Sequence, residues 1–179
     1  MRNVHFDKFY GSIDHLLNVY DRKSRKYAFN AGNHDEYRSW RESVVTQLWD
    51  IAGLANMETC APELELLESV DLDGIRRDKL LLQTEPDVWM PFYVLLPEGL
   101  EAGQKRPSMI AVHGHASVGK YSTAGRTDIP VIKEKIERVS YDYGLQFCKR
   151  GYIVFCPDSR GFGERREIHR QGGEVRNAG

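Results

Sequence analysis

Two short apolar runs, separated by residues of helical pattern, constrain this chain more than any other feature. The first, Ser108–His113, ends in His113-Gly114-His115. The second, Tyr152–Cys156, runs into Pro157-Asp158-Ser159-Arg160-Gly161-Phe162-Gly163-Glu164. The stretch between them is far too long for a hairpin and suits a helical crossover that brings the second strand back beside the first. The assembly this predicts is an open, largely parallel α/β sheet with Ser108–His113 buried in its centre.

The remaining elements follow from periodicity. Phe6, Phe9, Tyr10, Ile13, Leu16, Leu17 and Tyr20 recur at spacings of three and four, which predicts a helix from about Asp7 to Arg25. Tyr37, Trp40, Val44, Leu48 and Ile51 mark a second helix, from about Asp35 to Ala52, with Gly53 as its stop. From Leu64 the pattern alternates. Asp73-Gly74 is a hairpin signal, and Arg76–Thr84 and Val88–Leu96 are strand candidates. After Lys120 a polar loop is expected, then a helix from Asp128 with Pro130 in its first turn, then a helix over Tyr141–Arg150 closed by Gly151. The chain thus divides into a helical segment (1–56), a strand-and-helix core (57–164) and a loop or tail (165–179) in which the core looks incomplete.

Composition excludes several classes of function. The 179 residues carry a formal net charge of −1, so no global field draws nucleic acid or an acidic membrane surface. No apolar stretch approaches the roughly 20 residues of a membrane span, and the N-terminus lacks the apolar run of a signal peptide. A cytoplasmic chain is the expectation. Cys60, Cys148 and Cys156 are odd in number and show no Cys-x-x-Cys spacing, so they read as reduced structural thiols.

The turn after the first apolar run carries the chemistry. Gly114 lets backbone approach a ligand with no Cβ in the way, and an outward amide at His115 or Ala116 can bind a developing oxyanion. His113 and His115 alternate on an extended segment and could share a face. The rest of a zinc set is not near them in sequence, so they read as structural or substrate-facing, and no metal or other cofactor is expected. A rival lies in the same residues: Gly114-His115-Ala116-Ser117-Val118-Gly119-Lys120 fits the phosphate-loop pattern Gly-x4-Gly-Lys. Tyr121 stands where that motif needs a serine or threonine, and Gly125 and Pro130 interrupt the helix it must open. A helix springing directly from Lys120 would favour the rival and end the oxyanion reading. Arg160 suits either a brace between loops or a contact to a carboxylate-rich substrate.

Taken together, Val112-His113-Gly114-His115, Tyr143-Gly144, Lys149-Arg150-Gly151-Tyr152-Ile153-Val154 and the Pro157–Glu164 turn make residues 60–167 similar to the first half of the α/β-hydrolase fold. The resemblance lies near the dienelactone hydrolase and acetyl xylan esterase group. It implies a serine hydrolase of carboxylic esters on a small-molecule substrate, with an oxyanion hole at Gly114, His115 and Ala116 and tentative substrate contacts at His113, Tyr121 and Arg160. The family's Gly-x-Ser-x-Gly elbow occurs nowhere in the chain, and Ser117, Ser122 and Ser159 lack its context. No catalytic triad residue is therefore assigned. The alternative is a non-catalytic partner module of the same fold, whose unpaired strand edge beside Ser108–His113 would promote self-association.

Overall fold

The computed structural model describes residues 8–115, 118–166, 168–171 and 174–177. The chain separates into two compact units, Met1–Met57 and Glu58–Gly179. The first unit holds α1 (Ile13–Lys23) and α2 (His34–Ile51). Asn33 caps α2, accepting hydrogen bonds from the Asp35 and Glu36 amides at 3.1 and 3.0 Å, while Glu36 reaches back to the Gly32 amide at 2.7 Å. That reciprocal arrangement resembles a capping box and fixes where the helix begins. Gly53, at φ +67°, ends it as its position predicts. The helix expected from Asp7 begins only at Ile13. Residues 1–7 lie outside the described residues. Ile13, Leu16, Leu17 and Tyr20, the stripe of α1, are all more than half exposed.

The second unit is built on a five-stranded sheet. Its strands are β1 (Leu64–Leu72), β2 (Ile75–Glu85), β3 (Val88–Pro97), β4 (Ser108–Ile110) and β5 (Ile153–Pro157), in the order β1-β2-β3-β5-β4. Turns at Asp73-Gly74 and Pro86-Asp87 force β1, β2 and β3 to run antiparallel. β3 is antiparallel to β5 as well, and the one parallel ladder joins β4 to β5. The expected largely parallel sheet is thus corrected to a mainly antiparallel one. The hairpin at Asp73-Gly74 was expected, but the second, between β2 and β3, adds to it and sets the sheet's sense.

Residues between β4 and β5 cover one face. They form α3 (Lys120–Thr123), α4 (Pro130–Val139) and α5 (Tyr143–Cys148). Tyr93, Leu95, Val154 and Cys156 share that face by register and are fully buried there, with Ala111 and Cys148. Gly144 lets α5 lie directly on the sheet: a Cβ there would meet the Thr123 carbonyl at 2.6 Å and Cys156 Sγ at 2.9 Å. On the opposite face Leu64, Leu82, Met90, Phe155 and Ile110 line an open apolar recess.

Three expectations change here. Of Ser108–His113 only Ser108–Ile110 forms a strand, at the sheet edge rather than buried in its centre, and Ile110 and Val112 are 69% and 54% exposed. In place of a loop after Lys120, a one-turn helix opens at that residue. β6 (Ile168–Gln171) and β7 (Glu174–Asn177) form a separate antiparallel pair where composition suggested only loop. No helix among the described residues is long and apolar enough to cross a membrane.

Candidate active-site loops

The parallel alignment of β4 and β5 brings their exit loops to the same end of the sheet, where open α/β sheets hold their ligands. His113 links the loops. It is buried, its Nδ1 lies 3.1 Å from the Gly114 carbonyl, and its Nε2 accepts the Ser159 amide at 3.1 Å. Only the tautomer with its proton on Nδ1 satisfies both contacts. Phe162 packs between the histidines, its ring 5.2 Å from that of His113 and 5.4 Å from that of His115. Tyr143 also donates its hydroxyl to the Val112 carbonyl, tying α5 to the base of the loop.

A second link is ionic. Lys120 and Asp158 are fully buried, with Lys120 Nζ 2.5 Å from Asp158 Oδ2. The same ammonium binds Glu164, which also holds Lys79 at 2.8 Å. Asp158 further accepts the Lys120 amide at 2.7 Å and the Glu164 amide at 3.0 Å. Both loops close around this carboxylate at glycines. A Cβ on Gly119 (φ +75°) would sit 2.2 Å from Asp158 Oδ1, and one on Gly163 (φ +56°) 2.3 Å from it. The Lys120 ammonium lies 4.8 Å from the Tyr121 ring centroid and 5.7 Å from that of Tyr93, so aromatic faces complete its shell.

Each candidate site residue but Ala116 has a defined place. Gly114 is half-buried against Tyr141, and His115 is exposed at the loop tip. Ala116 lies outside the described residues. Neither ring nitrogen of His113 is left for a metal, and no group of three or more metal-binding side chains occurs among the described residues. Tyr121 lines the ionic cluster, and its phenol is raised above its usual range by burial and then by the charge of Glu164. Arg160 ion-pairs with Glu85 while more than half its side chain stays in solvent.

The phosphate-loop pattern is overturned by the position of Lys120. A helix does open there, but it is a single turn. The amine that should meet phosphates is already neutralised inside the protein by Asp158 and Glu164. The sequence does not show that Lys120, Asp158 and Glu164 form one ionic cluster. The pairing spans 38 and 44 residues and leaves no periodic trace; the glycines beside Lys120 and Glu164 were the available hint.

The comparisons agree with this architecture. The Abhydrolase family profile matches residues 4–175. A solved structure from Bacteroides fragilis NCTC 9343, assigned as an acetyl xylan esterase, superposes with a TM-score of 0.64 at 20% identity, covering 91% of this chain and 41% of that one. The methylesterase BT1017 matches at a TM-score of 0.45 and 18% identity, over 86% of this chain and 28% of its own. The chain therefore spans about two-fifths of the length of the first of these structures. No curated protein matches by sequence search. With the profile match extending over nearly all of its length, the chain belongs to the Abhydrolase family and has the α/β-hydrolase type of fold.

Proposed function

We propose that these residues supply the oxyanion side of a carboxylic-ester hydrolase acting on an acetyl or other small-metabolite ester in the cytoplasm. One observation carries the reading: the loops after β4 and β5 are latched together at the carboxyl end of the sheet by His113–Ser159 and by the buried Lys120–Asp158 pair. Links of this kind hold the flanks of the loop in place before the reaction begins, and preorganised backbone donors contribute on the order of 3 kcal/mol each to lowering an acyl-transfer barrier. Gly114, His115 and Ala116 are the assigned oxyanion residues. A serine attacks the ester carbonyl, a histidine takes its proton, and a carboxylate orients that histidine. None of these three is assigned within residues 1–179, because Gly-x-Ser-x-Gly is missing from them.

The test compares two chains for p-nitrophenyl acetate turnover and fluorophosphonate labelling. Residues 1–179 alone are expected to give neither saturable turnover nor stoichiometric serine labelling. The same residues joined to a following Gly-x-Ser-x-Gly segment are expected to give both. Turnover with labelling by residues 1–179 overturns the division of labour, and inactivity of the longer chain overturns the esterase reading.

A second reading, association through β4, is favoured by the edge position of that strand and the exposure of Ile110 and Val112. Residues 1–179 then self-associate with rising concentration. A sharp monomer by light scattering at high concentration contradicts it.

A further inference from the structure

Of the two links between the loops after β4 and β5, one holds only while a proton is absent. The ionic link needs Lys120 protonated and its carboxylates ionised. The other needs His113 neutral. With Nδ1 donating to the Gly114 carbonyl, the Nε2 lone pair is what holds the Ser159 amide at 3.1 Å. Protonating the ring places an N–H on Nε2, two donors then face each other, and the bond is lost. The link is therefore present above the titration of His113 and lost as pH falls through it.

The charged and titratable groups around the ring are already engaged. In the loop after β5, Asp158 is held by Lys120, Arg160 by Glu85, and Arg165 donates to the Asp158 carbonyl. On the side of its own loop, Lys120 is neutralised by Asp158 and Glu164, and His115 stands against the same Phe162 ring as His113. Tyr143 of α5 donates its hydroxyl to the Val112 carbonyl, and Tyr141, just before α5, packs on Gly114. Both His113 nitrogens are bonded to backbone, so neither is left to meet a carboxylate that would favour the charged ring.

Histidine is the side chain that acid reaches first. Burial raises the Glu164 carboxyl, but Lys120 and Lys79 outweigh it and hold it below its ordinary 4.5. The two links thus come apart in order as pH falls, His113–Ser159 before the ionic cluster. The Phe162 ring, 5.2 Å from that of His113, gives an imidazolium an aromatic neighbour, which lets the ring charge without the sheet unfolding.

We propose that His113 is an acid-released latch: neutral, it fastens the loop after β5 to the loop after β4; protonated, it frees Ser159 while the Lys120–Asp158 pair and the sheet stay formed. That this release regulates an oxyanion loop rests on the esterase reading above; the release itself does not.

The experiment follows the imidazole nitrogens and the backbone amides of the 179-residue chain by NMR from about pH 8 to about pH 5, the range in which histidine ordinarily changes charge. At the upper end His113 Nε2 is expected to carry no proton. As it gains one, the Ser159 amide should shift with the same midpoint and its protection should fall about tenfold or more, the scale of one lost hydrogen bond. The amides of Lys120, β3 and β5 should hold their protection throughout. His113→Gln keeps a side-chain acceptor that acid does not protonate, and should leave Ser159 protected across the range. A proton on Nε2 at the upper end, a Ser159 amide indifferent to His113 titration, or a ring that stays neutral until β3 and β5 unfold would overturn the latch. These three readings come from the parent chain and stand even where the variant does not fold; a folded His113→Gln that still loses Ser159 in acid would overturn it as well. No step requires ester cleavage, so failure here leaves the turnover and labelling test above unaffected.

Discussion

Replacing Lys120 by methionine tests the ionic latch with little change in side-chain length. In the native protein the ammonium and the Asp158 carboxylate are both completely removed from solvent. Removing one member of such a pair leaves the other charge buried and uncompensated, at a cost of about 3–5 kcal/mol. Asp158 would keep two amide donors, from residue 120 and from Glu164, and Glu164 would keep Lys79, so the low end applies, about 3 kcal/mol. At a urea slope of about 2 kcal/mol per molar the midpoint falls by about 1.5 M. The assay is urea unfolding followed at amide resonances of β3 and β5, which report the sheet unit directly. Asp158→Asn should also destabilise. Combined with Lys120→Met it should cost less than the sum, with coupling of about 1–3 kcal/mol. A Lys120→Met midpoint within about 0.5 kcal/mol of the parent, as for a surface substitution, or strict additivity of the pair, would refute the latch.

Three further outcomes follow from the same geometry. Gly119→Ala forces a Cβ onto Asp158 and should cost about 3 kcal/mol or more, whereas Gly161→Ala, at a similar φ but with open space around it, should cost about 1–2 kcal/mol in the same unfolding assay. Burial pushes the Cys148 thiol up to about 11 and that of Cys156 up to about 12, so a thiol reagent at pH 8 should label Cys60 alone in the folded chain and all three in urea. Burial raises the Glu164 carboxyl, but Lys120 and Lys79 outweigh it and hold it below its ordinary 4.5; the Arg126 hydrogen bond holds Asp128 below 3.8. Both carboxylates therefore stabilise the fold above those ordinary values and lose that contribution as pH falls through their lowered ones. The unfolding midpoint should drop in acid below about pH 4.5, and Glu164→Gln should flatten the start of that drop.

What could be read in advance was whatever local chemistry decides. The Asp73-Gly74 hairpin, Gly53 at the end of α2, Pro130 at the start of α4 and Gly151 before β5 each act within a few residues of themselves. The sense of the sheet was missed because strand direction is settled jointly by several connections. The position of β4 at the edge depends on which strands stand beside it, a property of the assembled sheet. Of the candidate site, the glycine turn and its neighbouring histidines were legible, but the function of His113 as a bridge was not. Its partner is the backbone of Ser159, and a main-chain donor leaves no mark in residue identity. The part played by Lys120 was not legible for a related reason. A motif fixes spacing along the chain, whereas the role of an amine depends on which carboxylates reach it in space.

Native-state amide hydrogen exchange around the two loops tests the oxyanion assignment most directly. The Lys120 and Ser159 amides donate to Asp158 and His113 and should exchange slowly, near the rate of the core strands. His115 and Ala116 should exchange fast within the same latched loop, as donors held open for a substrate oxygen. Protection of His115 and Ala116 comparable to that of Ser159 would mean those donors are already engaged, and would contradict the account.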